Sequence, residues 1–225
     1  MSATRLRASR ERVDVWRVAL AEGDTGALYA LSPAERTRAA RLRWGAGRWV
    51  TAHVALRRVL GSYLDQPPER VALVTGPNGK PRLESAAGAD LRFNLSHSGA
   101  MALIAVRLGN EVGVDVEQIR EEVDGAAITR DLFNERERAS MTTHATGSDR
   151  VAFFRAWVRR EALAKATGRG IADAPREGEA APPTVRDLDG IPGYAAAVAS
   201  EGAGWMVAGA RYASPECRSM APLRA

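Results

Sequence analysis

Residues 91–117 read LRFNLSHSGAMALIAVRLGNEVGVDVE, and three strand signals follow one another within them. Leu91, Phe93 and Leu95 alternate with polar residues, the period-two pattern of a half-buried strand. Ala100–Leu108 is a second, nearly continuous apolar run, and Val112–Glu117 is a third. The small polar stretch Ser96-His97-Ser98-Gly99 suits a hairpin turn between the first two. Gly109-Asn110 separates the second from the third. Side chains alternate along a strand, so Val112, Val114 and Val116 share one face of the third run while Asp115 and Glu117 share the other.

Toward the N-terminus, Val13–Leu20 is rich in Val and Trp and reads as a strand. Ser32-Pro33-Ala34-Glu35 is a helix start, with Ser at the cap, Pro in the first turn and Glu three residues on. Leu42, Trp49, Leu56, Leu60 and Leu64 follow near helical spacing, interrupted at Gly45–Gly47, and Pro67-Pro68 closes that basic region. Val71–Thr75 is a short strand and Gly76-Pro77-Asn78-Gly79 a turn. Toward the C-terminus, Asn134 with Glu137 resembles a capping box that starts a helix through Met141. Val151–Ala166 is a long helical pattern ended by Gly168. Residues 173–190 read as a flexible excursion, and Tyr194–Ser200 with Trp205–Tyr212 as a β-hairpin across Glu201-Gly202-Ala203-Gly204. This order predicts an α+β fold of two similar halves, 1–108 and 109–213, with 214–225 as a flexible tail.

With 225 residues, 45% of them hydrophobic and 26% charged, the chain can build a sizeable core. No apolar run approaches the roughly 18 residues of a membrane span. The first residues carry charges and no apolar segment, so a secretory signal is not expected and a cytoplasmic protein is. The single cysteine, Cys217, excludes an intramolecular disulfide framework and a Cys-rich metal site. A net charge of +5 points to a polyanionic partner: nucleic acid, a phosphorylated cofactor or an acidic protein. Of the 32 basic residues all but Lys80 and Lys165 are arginine. Two lysines kept in such a background mark places where a compact ammonium serves and a planar guanidinium does not, or they are chance.

Asp115 and Glu117 fit two chemistries. Paired carboxylates on one strand face can hold a hard divalent cation, and they equally suit an amphipathic edge strand with a solvated acidic face. Trp157, Glu161 and Lys165 recur every fourth residue and form one helical stripe. Glu161 to Lys165 has the orientation of an i,i+4 ion pair, and Glu161 can also supply a third carboxylate to the strand pair. Ser96 and His97 can bind a phosphate with nearby backbone amides, or His97 is an ordinary hydrogen-bonded turn residue. Lys80 follows a Gly-rich turn that is not a Walker motif. His53 and His144 carry no readable message.

The order and spacing of four motifs are more specific than any one of them. Gly79-Lys80-Pro81, Phe93-Asn94-Leu95-Ser96-His97-Ser98, Gly113-Val114-Asp115-Val116-Glu117 and Trp157-x-x-Arg160-Glu161-Ala162-x-x-Lys165 resemble the 4′-phosphopantetheinyl transferase superfamily, in its surfactin-synthetase-activating type. The likeness runs over about residues 10–212 and implies two pseudo-twofold-related α+β halves with the active site at their interface. It implies a holo-[acyl-carrier-protein] synthase type activity. Coenzyme A donates its phosphopantetheine arm to a serine of an apo acyl or peptidyl carrier protein, and adenosine 3′,5′-bisphosphate is released. The carrier would belong to a polyketide, nonribosomal peptide or fatty-acid synthase.

By the same resemblance, Asp115, Glu117 and Glu161 would hold Mg²⁺. Glu161 and Lys165 would be catalytic, and Arg48, Lys80 with Pro81, Ser96 and His97 would contact the adenosine bisphosphate end. Arg160 stands where the family usually has lysine, and Gly168-Arg169-Gly170 where Gly-Lys-Gly is common. Residues 119–149 would help dock the carrier, with Phe133 and Met141 as an apolar patch. A monomer is expected, with no nucleic-acid or membrane partner. A nucleic-acid-binding protein would share the basic charge, but its arginines should form a tract or a helix face, and these are scattered. A Mg²⁺-dependent nucleotide phosphodiesterase would share the metal chemistry but needs an arrangement for activating water that the sequence does not display.

Overall fold

The computed structural model of the chain describes residues 6–20, 27–76, 79–84, 90–121, 133, 135, 138, 149–175 and 183–213. Strand β1 (Arg12–Ala19) is followed by α1 (Pro33–Arg41) and α2 (Ala46–Leu64). The helix start read at Ser32 is a complete capping box: the Ser32 hydroxyl accepts from the Glu35 N–H, and the Glu35 carboxylate accepts from the Ser32 N–H. Such a cap contributes about 1 kcal/mol. The break between the helices lies at Gly45, which takes φ +68° as the residue before α2. Next come β2 (Leu73–Thr75), β3 (Pro81–Leu83), β4 (Leu91–Ser98), β5 (Met101–Leu108), β6 (Val112–Gln118), α3 (Asp149–Thr167), β7 (Thr184–Asp187), β8 (Tyr194–Ser200) and β9 (Met206–Ala213).

Two principal sheets carry the fold, in the orders β4-β5-β1-β9 and β6-β8-β7, and β2 pairs with β3 in a small ribbon. Helix α2 covers one face of the first sheet. Ala52, Leu56, Val59 and Leu60 pack there on Trp16, Val18, Phe93, Ile104 and Val106. A buried chain of hydrogen bonds fixes that contact, from Trp16 Nε1–H to the Tyr63 oxygen and from the Tyr63 O–H to Asp14. The opposite face presents Val13, Val15, Leu103 and Ala105 to Val112, Val114, Val116 and Val198 of the second sheet. The far face of the second sheet carries Ala195, Ala197 and Ala199, and α3 packs there through Val158, Ala162 and Ala166. Among the described residues no helix is long and apolar enough to cross a membrane.

Several local expectations change. Ser96, His97 and Ser98 are not in a turn: β4 continues through Ser98, and Ser98 pairs directly with Met101. Gly99, at φ +55°, supplies the left-handed conformation that lets Gly99-Ala100 alone reverse the chain. Tyr194–Ser200 and Trp205–Tyr212 do not form a hairpin. β8 pairs with β6 and β7, while β9 pairs parallel to β1. Trp205, 1% exposed, anchors the crossing between sheets, with the guanidinium groups of Arg107 and Arg186 against its ring. The excursion read over 173–190 contains β7, four residues paired with β8. Of the helix expected from Asn134 to Met141 the structure describes Glu135 and Arg138, both helical; its other residues, the tail 214–225, His144 and Cys217 lie outside the described residues.

Candidate active site

Gly113 decides how close β6 and α3 come. A Cβ there would stand 2.1 Å from the Ala162 carbonyl oxygen and 2.4 Å from the Ala166 nitrogen. The helix backbone therefore rests directly on the strand, beside the short side chains Ala195, Ala197 and Ala199. Gly113 and Asp115 alternate onto the same strand face, and α3 lays Lys165 across it. Lys165 Nζ donates to Asp115 Oδ1 at 2.6 Å and to Ser96 Oγ at 3.0 Å. The Ser96 hydroxyl in turn donates to Asp115 Oδ1 at 2.7 Å. Three sequence-distant motifs thus meet at one carboxylate. Asp115 is only 2% exposed, so the solvated acidic face is not what forms.

The edges of the two sheets are joined by side chains. Asn94 Oδ1 accepts from the Val114 N–H at 2.9 Å. Ser98 Oγ donates to Glu117 Oε2 at 2.6 Å and accepts from the Gln118 N–H at 3.1 Å. Asn94, Ser96 and Ser98 are alternate residues of β4, all buried. They bond to an edge strand whose backbone groups would otherwise need other partners.

Lys80, just before β3, donates to Glu111 Oε2 at 2.8 Å, to the Val112 carbonyl at 3.1 Å and to the Lys165 carbonyl at 2.8 Å. The Lys165 carbonyl belongs to the last turn of α3, where helix carbonyls lack intrahelical donors. The only two lysines of the chain therefore touch at this site. Glu111 is shared, because Arg92 Nε also reaches it at 3.0 Å.

Electrostatics bring in Glu161 and the histidines. Burial pushes Glu161 above the ordinary carboxylate range; Lys165 opposes that shift, and the neighbouring Asp115 and Glu117 add to it. Glu117 is likewise raised by burial, against the Ser98 hydrogen bond and with help from Asp115. The three carboxylates named from the sequence are close enough to feel one another's charge. His97, at the far end of β4, is held below its usual value by partial burial and then by Lys165. His53 is lowered to about 4, chiefly by burial. Its ring stacks on Trp49 at 3.6 Å, and Nδ1 faces the Trp49 carbonyl, so Nδ1 carries the proton. Arg48 precedes Trp49 in the first turn of α2, and Pro81 opens β3 opposite Thr75.

Some residues stand elsewhere than the sequence suggests. The Glu161–Lys165 ion pair along the helix gives way to Lys165–Asp115, because the sheet edge offers a carboxylate at 2.6 Å. Phe133 is no surface patch: it is 4% exposed and packs with Phe153 and Phe154. Arg160 is buried on another face of α3, with its guanidinium 5.9 Å from the Phe133 ring centroid. Sequence reasoning overlooked Asn94, Ser98, Glu111 and Gly113 as parts of the site. The signal for two of them was present, since Asn94, Ser96 and Ser98 form a polar period-two face opposite Phe93 and Leu95. Among the described residues, no three carboxylate, imidazole or thiol groups converge into a ready-made metal cage.

Comparison with known families matches residues 111–195 to the 4′-phosphopantetheinyl transferase superfamily. The chain is 34% identical over 173 residues to the 4′-phosphopantetheinyl transferase HetI of Nostoc sp., covering 72% of this chain and 71% of that protein. It is 31% identical to the 4′-phosphopantetheinyl transferase AcpT of Escherichia coli K12, over 68% of this chain and 74% of that one. With the 4′-phosphopantetheinyl transferase psf-1 of Bacillus pumilus the identity is 32%, over 61% and 58%. The matched span runs from Glu111 through the carboxylate strand and the helix that carries Lys165 to the first residues of β8. The chain belongs to the 4′-phosphopantetheinyl transferase superfamily, enzymes that transfer the phosphopantetheine arm of coenzyme A to carrier proteins.

Proposed function

We propose that this protein is a Mg²⁺-dependent transferase of the surfactin-synthetase-activating type that modifies a serine of an apo acyl or peptidyl carrier protein. The observation that carries the reading is the meeting of Asp115, Ser96 and Lys165 from three separate motifs, within charge range of Glu117 and Glu161. The donor set fits a magnesium ion. Among the described residues Asp115 Oδ2 is buried without a hydrogen-bond partner, and burial disfavours the charged forms of Glu117 and Glu161. A cation would relieve both. Mg²⁺ commonly uses one or two carboxylates together with waters and substrate phosphates, so a complete protein cage is not required. Asp115, Glu117 and Glu161 would hold the ion, which when bound neutralises pyrophosphate charge and polarises the phosphoryl centre.

The chain's own groups account for the rest. The carrier serine oxygen forms a bond to the phosphorus on the pantetheine side, and the pyrophosphate P–O bond breaks. Adenosine 3′,5′-bisphosphate leaves with the electron pair. Glu161, whose proton affinity burial raises, accepts the serine proton. Lys165 donates to charge developing on the departing phosphate. His97, Arg48, Lys80 and Pro81 contact the adenosine bisphosphate end; Ser96, whose one proton is held by Asp115 Oδ1, joins them only by releasing that carboxylate. All three Lys80 protons are committed, so a phosphate contact requires it to release Glu111, which Arg92 can retain. The N-terminal half then serves the nucleotide and the C-terminal half the metal and the proton transfer, within a monomer.

The test is substitution at the carboxylates. Asp115→Ala and Glu161→Ala should abolish transfer while thermal unfolding stays cooperative. Turnover at the wild-type rate by either folded variant would refute the assignment.

A further inference from the structure

We infer that Ser98 is a positioning residue for Glu117, the outer rung of a side-chain ladder by which β4 aims the carboxylates of β6 at one cation. The inference rests on the metal reading above and extends it to a residue outside the proposed ligand set. A serine hydroxyl has one proton. The Gln118 N–H occupies a lone pair of Ser98 Oγ, and the proton goes to Glu117 Oε2 at 2.6 Å. This arrangement has a fixed direction: one backbone donor enters, one carboxylate oxygen is held, and the carboxylate plane is set with the other oxygen left to face a ligand. Ser98 is 7% exposed, so bulk water is a poor substitute for the hydroxyl.

The next rung inward repeats the logic. Ser96 Oγ accepts from Lys165 and donates to Asp115 Oδ1, leaving Asp115 Oδ2 without a hydrogen-bond partner among the described residues. Asn94 closes the ladder on the Val114 N–H. The turn beyond Ser98 is itself pinned to the second sheet. The Tyr194 hydroxyl accepts from the Ala100 N–H, and a Cβ on Gly99 would lie 2.4 Å from Gln118 Oε1. Ser98 therefore cannot slide along β6 without opening that contact. Partners that orient ligating carboxylates commonly govern metal affinity by about 10–100-fold.

The test uses the full-length chain with Mn²⁺ as the probe, measuring binding by calorimetry and transfer as a function of Mg²⁺ concentration. Ser98→Ala should weaken Mn²⁺ binding by about 10–100-fold. It should raise the Mg²⁺ needed for half-maximal rate in parallel, with the KM for coenzyme A at saturating Mg²⁺ unchanged. Ser98→Thr, which keeps the hydroxyl, should bind Mn²⁺ close to wild type. If Ser98→Ala binds Mn²⁺ as tightly as wild type while Glu117→Gln has lost binding, the positioning role is wrong. A folded Ser98→Thr as weak as Ser98→Ala would overturn the hydroxyl argument. Wild-type Mn²⁺ affinity in Glu117→Gln would instead overturn the metal reading beneath it.

Discussion

Replacing Gly113 by alanine should damage the site without touching any charged group. The added methyl meets backbone on the helix side: the Ala162 oxygen at 2.1 Å, the Ala166 nitrogen at 2.4 Å and the Lys165 carbonyl carbon at 2.9 Å. No rotamer change relieves a clash with backbone, so α3 must retreat from β6 by about 1 Å to reach ordinary contact. Overpacking of this kind costs about 1–3 kcal/mol, a fall of about 2–12 °C in Tm for a chain of this size. The retreat carries Lys165 away from Asp115 and Ser96, and its carbonyl away from Lys80. A displacement of about 1 Å at reacting groups costs on the order of 100-fold in rate. Thermal unfolding and coenzyme A-dependent modification of an apo carrier, followed by intact mass, read the two effects separately. A Gly113→Ala variant with wild-type Tm and rate would refute the argument that backbone contact at Gly113 sets the site.

Lys80 meets a carboxylate and two carbonyls with one nitrogen, a convergence that a guanidinium fork does not reproduce. Lys80→Arg and Lys80→Met should both slow transfer by on the order of tenfold or more, and full activity of Lys80→Arg in steady-state kinetics would contradict this. The depressed value of His53, about 4, means that the unfolded chain binds a proton between there and about 6.5 while the folded chain does not. That contribution to stability is present above about 6.5 and is lost as the pH falls toward 4. His53→Gln should flatten the fall of Tm over this window; parallel profiles for variant and wild type would show that His53 is not its source. With coenzyme A present throughout, adding Mg²⁺ should raise the Tm of the wild type further through linkage and leave that of Asp115→Ala unmoved, as seen by differential scanning fluorimetry; equal Mg²⁺-dependent shifts would place the ion elsewhere.

The parts legible in the sequence are those set by local pattern. Period-two alternation marked β4 and β6, Val- and Trp-rich or continuous apolar runs marked β1 and β5, the Ser32 box marked α1, and the fourfold spacing of Trp157, Glu161 and Lys165 marked one stripe of α3. β3 and β7 were missed because segments of three and four residues beside Pro and Gly carry no period. The partner of β9 was misread because pairing with β1 spans nearly the whole chain, whereas Glu201–Gly204 looks locally like a hairpin loop. In the site, residue type and spacing exposed Asp115, Glu117, Glu161 and Lys165. The ladder of Asn94, Ser96 and Ser98 stayed hidden because its meaning depends on which sheet edge lies opposite. Gly113 reads as an ordinary strand glycine until the helix beside it is known.

The most direct test of the central claim is intact-mass analysis of an apo acyl or peptidyl carrier protein incubated with this protein, coenzyme A and Mg²⁺. The account expects the carrier to gain one phosphopantetheine unit, and the gain to disappear when EDTA is added. No gain across several apo carriers, together with no binding of coenzyme A, would contradict it.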